Sequence, residues 1–172
     1  GGWVHRISAD GEVLDSTRDL YDHAFIMLAG AAAYQATKNQ NALSLAMEAL
    51  QFIDLNMADK NVGGYFETVE LRASRRANPH MHLLEAFLAL YEATGERHFL
   101  DRATKIVELF ECYFFDYQSG ILVEHFDSDW KPVKGEKGRL FEPGHHYEWA
   151  TLLALYDSLT SRHTHSWSYR LI

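Results

Sequence analysis

The sequence has a single cysteine, Cys112, so no intramolecular disulfide can staple it, and a reducing, cytoplasmic setting is expected. Cys112 stands in the apolar run Leu109–Phe114 and reads as a core residue, not a reactive thiol. Positive charge is also short: 16 Lys and Arg against 24 Asp and Glu leave a net charge of -8, which argues against nucleic acid or an anionic membrane as partner. Charged residues interrupt every apolar stretch within about a dozen residues, so neither a signal peptide nor a transmembrane span is expected. The chain also lacks an initiator methionine, and Gly1-Gly2-Trp3 reads as the middle of something longer. What remains is globular stock. With 172 residues, 47% hydrophobic and 13% aromatic, the chain is the size of one domain and can bury a core.

Along the chain, alternation around Asp10-Gly11 predicts a short hairpin over Trp3 to Leu14. A helix follows to Thr37, with Leu20, Ala24, Phe25, Leu28 and Ala32 on an apolar stripe. Asn39–Asn41 breaks it, and a second helix runs from about Ala42 to Met57. Gly63–Glu67 reads as extended, and a helix from Asn78 to Thr94 stops at Gly95. A fourth runs from about His98 to Phe114, Gly120–Phe126 is strand-like, and a last helix spans Pro143 to Leu159. Ser161 to Ser168 carries no clear pattern.

This order repeats. Tyr34-Gln35-Ala36-Thr37 is followed by Leu43 and Ala46, and Tyr91-Glu92-Ala93-Thr94 by Leu100 and Ala103 at the same offsets, with Tyr156 near the third such place. Each repeat is a glycine-led β segment and a helix hairpin, which predicts an all-α solenoid or a closed ring of helix pairs. The shared side of His82, Glu85, Ala86, Ala89 and Ala93 favours the ring, with small residues at the axis and polar ones at the mouth.

Two helix mouths carry the chemistry. In Asn78-Pro79-His80-Met81-His82-Leu83-Leu84-Glu85, Asn78 suits an N-cap and Pro79 the first helical position, and His82 and Glu85 share a face. In Glu142-Pro143-Gly144-His145-His146-Tyr147-Glu148, Pro143 again opens a helix and His145 and Glu148 repeat the spacing. Two His-x-x-Glu pairs suggest one shared pocket. A histidine titrates near neutrality and can take and return a proton, while a glutamate one turn away can orient it or bind a hydroxyl. His80 and His146 point elsewhere on their helices and read as structural. A zinc site would need convergent ligands, and neither helix carries His-x-x-x-His. Glycoside hydrolysis would need opposed acids such as Glu85 and Glu148, leaving the histidines unexplained.

These two stretches resemble the signatures of the N-acylglucosamine 2-epimerase family, and Arg18-Asp19-Leu20-Tyr21-Asp22-His23-Ala24-Phe25 resembles a third, in the right order. The resemblance runs from Gly1 to about Tyr156. It implies an (α/α)6 barrel, of which residues 1–172 are a partial catalytic domain of about half the ring: helix hairpins with short β segments between. It implies an isomerase or 2-epimerase acting on a monosaccharide or disaccharide, with neither metal nor other cofactor. Proton abstraction at C2 would proceed through an enediol, as in mannose to fructose. By resemblance His145 and His82 are the catalytic histidines, and Asn78, Met81, Glu85 and Glu148 surround the substrate. The wording Asn-Pro-His-Met-His leans to the mannose-isomerase branch. The family's partner histidine lies in a later repeat, beyond Ile172, and His163 and His165 have no matching proline-led helix. An incomplete ring is expected to self-associate or to join a missing remainder. A catalytically silent sugar- or protein-binding repeat is the alternative function.

Overall fold

The structure is a computed structural model and describes residues 1–72, 74–160 and 170–171. Two strands, β1 (Arg6–Ile7) and β2 (Val13–Asp15), form the expected hairpin. Helix α1 (Leu20–Thr37) follows and is capped by the Asp19 carboxylate, which accepts from the Asp22 amide at 2.8 Å. Helix α2 (Gln40–Asn56) returns antiparallel to it from the Asn39 cap. The pattern recurs with α3 (Ala77–Thr94) and α4 (Arg97–Leu109), joined at Gly95, whose φ of 75° is the left-handed turn the sequence predicts there. A third leading helix, α5 (Pro143–Thr160), closes the described chain.

Helix α1 packs most extensively on α3 and α2, and α3 on α4 and α5. So α1, α3 and α5 stand side by side as an inner layer, and α2 and α4 lie behind it. Close approach of α1 and α2 depends on Gly30: a β-carbon there would lie 2.7 Å from the Ala42 carbonyl oxygen and 2.8 Å from the Ala46 β-carbon. The stripe expected on α1 is half right. Leu20 and Ala24 are buried, but Phe25 and Ala32 are exposed, because a helix packed on two neighbours buries parts of two faces instead of one.

Beyond the first hairpin, the strands differ from the sequence reading in place. Gly63–Glu67 forms no strand beyond a single bridge from Tyr65 to Ala58. Instead β3 (Ser74–Arg76) pairs across repeats with β6 (His125–Asp127), Arg75 opposite Phe126. Between them β4 (Phe115–Asp116) and β5 (Ile121–Leu122) make a small hairpin.

Strand β3 runs straight into α3, which displaces the expected cap. Arg76, not Asn78, precedes the helix, and the Ala77 amide donates to the Glu124 carbonyl at 3.0 Å. A tertiary acceptor thus does what a capping side chain would do. Pro79 lies in the first turn, where its missing N–H leaves no helical bond unmade.

Residues Phe110–Phe114 form a wide π turn at the end of α4. It directs Phe110 and Phe114 inward and leaves Cys112 exposed, contrary to the core reading. Phe110, Phe114, Phe126, Trp130 and Trp149 then pack with centroid separations of 4.8 to 5.8 Å and seat α5 against the preceding hairpin.

Three buried histidines tie each leading helix to its β segment. His23, His80 and His146 each place Nδ1 on the carbonyl four residues back, at Asp19 (2.6 Å), Arg76 (2.9 Å) and Glu142 (3.3 Å). Each places Nε2 to accept a backbone amide, from Trp3 (3.2 Å), Tyr65 (3.1 Å) and Leu122 (3.1 Å). A carbonyl only accepts and an amide only donates, so each ring is the neutral tautomer with its proton on Nδ1. His80 and His146 are therefore structural, as expected, and His23 is their counterpart in the first repeat. Burial holds the His80 ring down to about 4 and lowers His23 as well.

Candidate active site

His82 sits in the second turn of α3, its side chain 13% exposed. Its Nδ1 lies 3.0 Å from Oε2 of Glu85, as the spacing predicts. Phe25 and Tyr21 of α1 flank the ring at centroid distances of 4.5 and 5.1 Å. These two aromatics come from the stretch around Asp19–Phe25 and limit the ring's freedom, which leaves Nε2 as the nitrogen available to a ligand. Ala89 continues the same accessible face toward the far end of α3, whereas Ala86 and Ala93, expected on that side, are buried.

His145 is the third residue of α5, and its imidazole is also 13% exposed. Its partner is not the nearby Glu148. Nδ1 lies 2.9 Å from Oε1 of Glu124, and Nε2 lies 3.6 Å from Oε2 of Glu142, whose side chain is mostly exposed. Glu124 itself is only 5% exposed, and burial pushes its carboxyl up against the opposing pull of the His145 hydrogen bond. Spacing could not reveal this pair, because its members stand 21 residues apart with strand β6 between them. The available signal was a charged residue inside the apolar run Ile121-Leu122-Val123-Glu124.

The clamp histidines give the register between helices, and it differs from the apparent duplication. Two places after the clamp stand Phe25, His82 and Glu148; one place before it stand Asp22, Pro79 and His145. Hence His82 corresponds to Glu148, not to His145. A three-residue offset is almost a full turn, so both His-x-x-Glu pairs keep the same face while differing in depth by about 4.5 Å. Glu85 and Glu148 line one cleft between α3 and α5 with Tyr147, Thr151 and Leu152.

The other expected substrate contacts lie deeper. Met81 is fully buried in the core. Asn78 is half-buried, its Oδ1 shielded from solvent without a hydrogen-bond partner. Among the described residues, the helix-mouth histidines do not converge as a metal set. The donor atoms that do cluster, on His5, Asp19 and Asp22, already contact one another, with His5 Nδ1 at 2.8 Å from Asp22. His163 and His165 lie outside the described residues.

The family model for N-acylglucosamine 2-epimerase matches residues 1–168. The chain belongs to that family. A mannose-6-phosphate isomerase of Rhizobium meliloti is 39% identical over 157 residues, which cover 89% of this chain and 41% of that one. A D-mannose isomerase of Thermobifida fusca is 34% identical, covering 88% of this chain and 40% of its own length. The structure of a cellobiose 2-epimerase from Spirochaeta thermophila superposes with a TM-score of 0.87 at 25% identity, over 99% of this chain and 46% of that one. The chain thus spans about two fifths of the length of these curated relatives. Its two-layer arc is about half of the family's (α/α)6 barrel, as the repeat and the resemblance predicted. Among the described residues no helix is long and apolar enough to cross a membrane.

Proposed function

We propose that this member of the epimerase family supplies the sugar-binding mouth of an aldose–ketose isomerase or 2-epimerase. The observation that carries the reading is a pair of imidazoles at neighbouring helix mouths, each held through Nδ1 by a carboxylate, Glu85 on His82 and Glu124 on His145. A histidine held in this way presents Nε2 to a ring-opened sugar. His145 removes the C2 proton, and the electron pair moves into an enediol. His82, with Glu85, shifts protons between the O1 and O2 oxygens. Return of the proton to C1 gives the ketose, and return to the opposite face of C2 gives the epimer. A second acid/base group is required on that opposite face for epimerisation. Glu148 lies in the cleft with Glu85 and suits a sugar hydroxyl, as does the amide of Asn78.

Of the five arginines that could favour an anionic sugar, Arg18, Arg72, Arg75, Arg76 and Arg139, four are engaged elsewhere. Arg18, Arg75 and Arg76 are committed to Glu70 (2.8 Å), Asp59 and Glu67, and Arg72 donates to the Asn56 carbonyl at 3.0 Å. No cluster of uncommitted guanidinium groups stands among these four to take a phosphate. Glycoside hydrolysis has one point in its favour, the shared cleft of Glu85 and Glu148. Against it, Glu85 is engaged by His82.

The test is proton NMR of mannose in deuterium oxide with the purified chain. Fructose, or deuterium at C2, is the expected result, lost in a folded His145→Gln chain. Turnover that survives this substitution removes His145 from the reaction. No exchange by a folded chain points to a site that needs the rest of the ring, and silence of a chain of the relatives' full length as well assigns it to the binding-only alternative.

A further inference from the structure

We infer that Glu124 is a positioning residue for His145: it accepts a hydrogen bond from Nδ1–H and so fixes Nε2 as the nitrogen turned to the substrate. Three ties place the carboxylate. The Glu124 carbonyl accepts from Ala77 at the start of α3, and two residues earlier the Leu122 amide binds His146 on α5. The following residue begins β6, paired with β3. Glu124 is therefore anchored to both helix mouths that carry the candidate histidines, and its side chain has little freedom to leave His145.

The repeats show that this position is built to deliver a side chain. In each, the residue two places after the clamped amide reaches the mouth of the following helix. In the first repeat His5 reaches Asp22 at 2.8 Å, and in the second Glu67 pairs with Arg76. In the third Glu124 reaches His145 at 2.9 Å. The backbone device is common to all three and the chemistry is not. The Glu67–Arg76 ion pair holds no proton to transfer, and His5 in the first pair is half exposed. Only the third combines a buried carboxylate with a nearly buried imidazole.

The consequence follows from what each atom can do. A buried carboxylate offers only acceptor oxygens, so the neutral imidazole beside it keeps its proton on Nδ1. The lone pair then lies on Nε2. Glu142, mostly exposed, faces Nε2, and His146 is adjacent but committed to backbone at both nitrogens. When Nε2 takes a proton, Glu124 stabilises the resulting imidazolium, the role a buried carboxylate plays behind a histidine base. The tautomer itself does not depend on the proposed reaction; only the use made of Nε2 rests on it.

The experiment uses the chain labelled with nitrogen-15 histidine, its His145 signals assigned by their loss in a His145→Gln chain. In the intact chain neutral His145 is expected with the proton on Nδ1. In Glu124→Leu the ratio of Nδ1–H to Nε2–H tautomers is expected to fall about tenfold or more, the loss of one hydrogen bond to a charged group. A folded Glu124→Leu chain with an unchanged ratio overturns the inference. Should that variant fail to fold, Glu124→Gln keeps the size and one acceptor while removing the charge. Its Nδ1 proton is expected to exchange with solvent several times faster, and an unchanged rate overturns the inference. A tautomer shift in Glu124→Leu, with no deuterium placed at C2 of mannose by the intact chain, keeps the positioning role without supporting the proposed reaction in this chain.

Discussion

His80 is the buried group whose titration most directly links the fold to pH. Its ring is 1% exposed, and its Nε2 accepts the Tyr65 amide, a bond that protonation destroys. Folding lowers the ring from its ordinary 6.5 to about 4, chiefly through desolvation and with a smaller contribution from the Arg75 charge. The unfolded chain therefore binds the proton more readily than the folded one between these values. The stability His80 lends is fully present above 6.5 and is lost as the pH falls toward 4. A difference of about 2.5 pH units corresponds to about 3 kcal/mol in total, of which about 2 kcal/mol is gone between pH 7 and pH 5. The perturbation is His80→Gln, which keeps an acceptor for the Tyr65 amide but cannot titrate. Urea unfolding of both chains at pH 7, 6 and 5 separates the terms. The variant is expected to start about 1–3 kcal/mol less stable at pH 7 and to lose about 2 kcal/mol less than the intact chain on going to pH 5. His23, whose ring is also lowered, and Glu124, whose carboxyl is raised, contribute with opposite signs to both chains and cancel in the comparison. Equal losses in the two chains would refute the assignment of His80 as a neutral clamp.

Three further outcomes are expected. Gly30→Ala should destabilise by about 1–3 kcal/mol in urea unfolding despite alanine's better helix propensity, because the added carbon meets Ala42 and Ala46 of α2. Met81→Ala should cost about 2–5 kcal/mol through the cavity it leaves, with any change in sugar affinity following from that loss and not from a lost contact. Cys112 should react with a thiol reagent in the native chain at a rate close to that of the denatured chain, whereas a core thiol would wait for unfolding.

The helices were legible because their signals are local. Asp19 and Asn39 cap α1 and α2, Gly95 ends α3, and Pro143 opens α5, each acting on a backbone within a few residues of itself. His82 with Glu85 was legible for the same reason, since one helical turn fixes which side chains meet. The misreadings have two sources, partners distant along the chain and backbone geometry that composition does not record. Asn78 looked like a cap because the Glu124 carbonyl that replaces it is invisible in the local sequence. Cys112 looked buried because hydrophobic neighbours do not reveal a π turn.

By itself, then, the sequence determined an all-α repeat of helix hairpins, the family it belongs to, and the two histidine-bearing helix mouths. Tertiary structure decided what the structural histidines clamp, how the repeats align, and which acid stands behind His145. Helix and cap formation depend on neighbours along the chain, so spacing records them. The Glu124–His145 pair depends on a strand pairing between repeats and on amides clamped by buried rings, and those contacts exist only once the chain has packed.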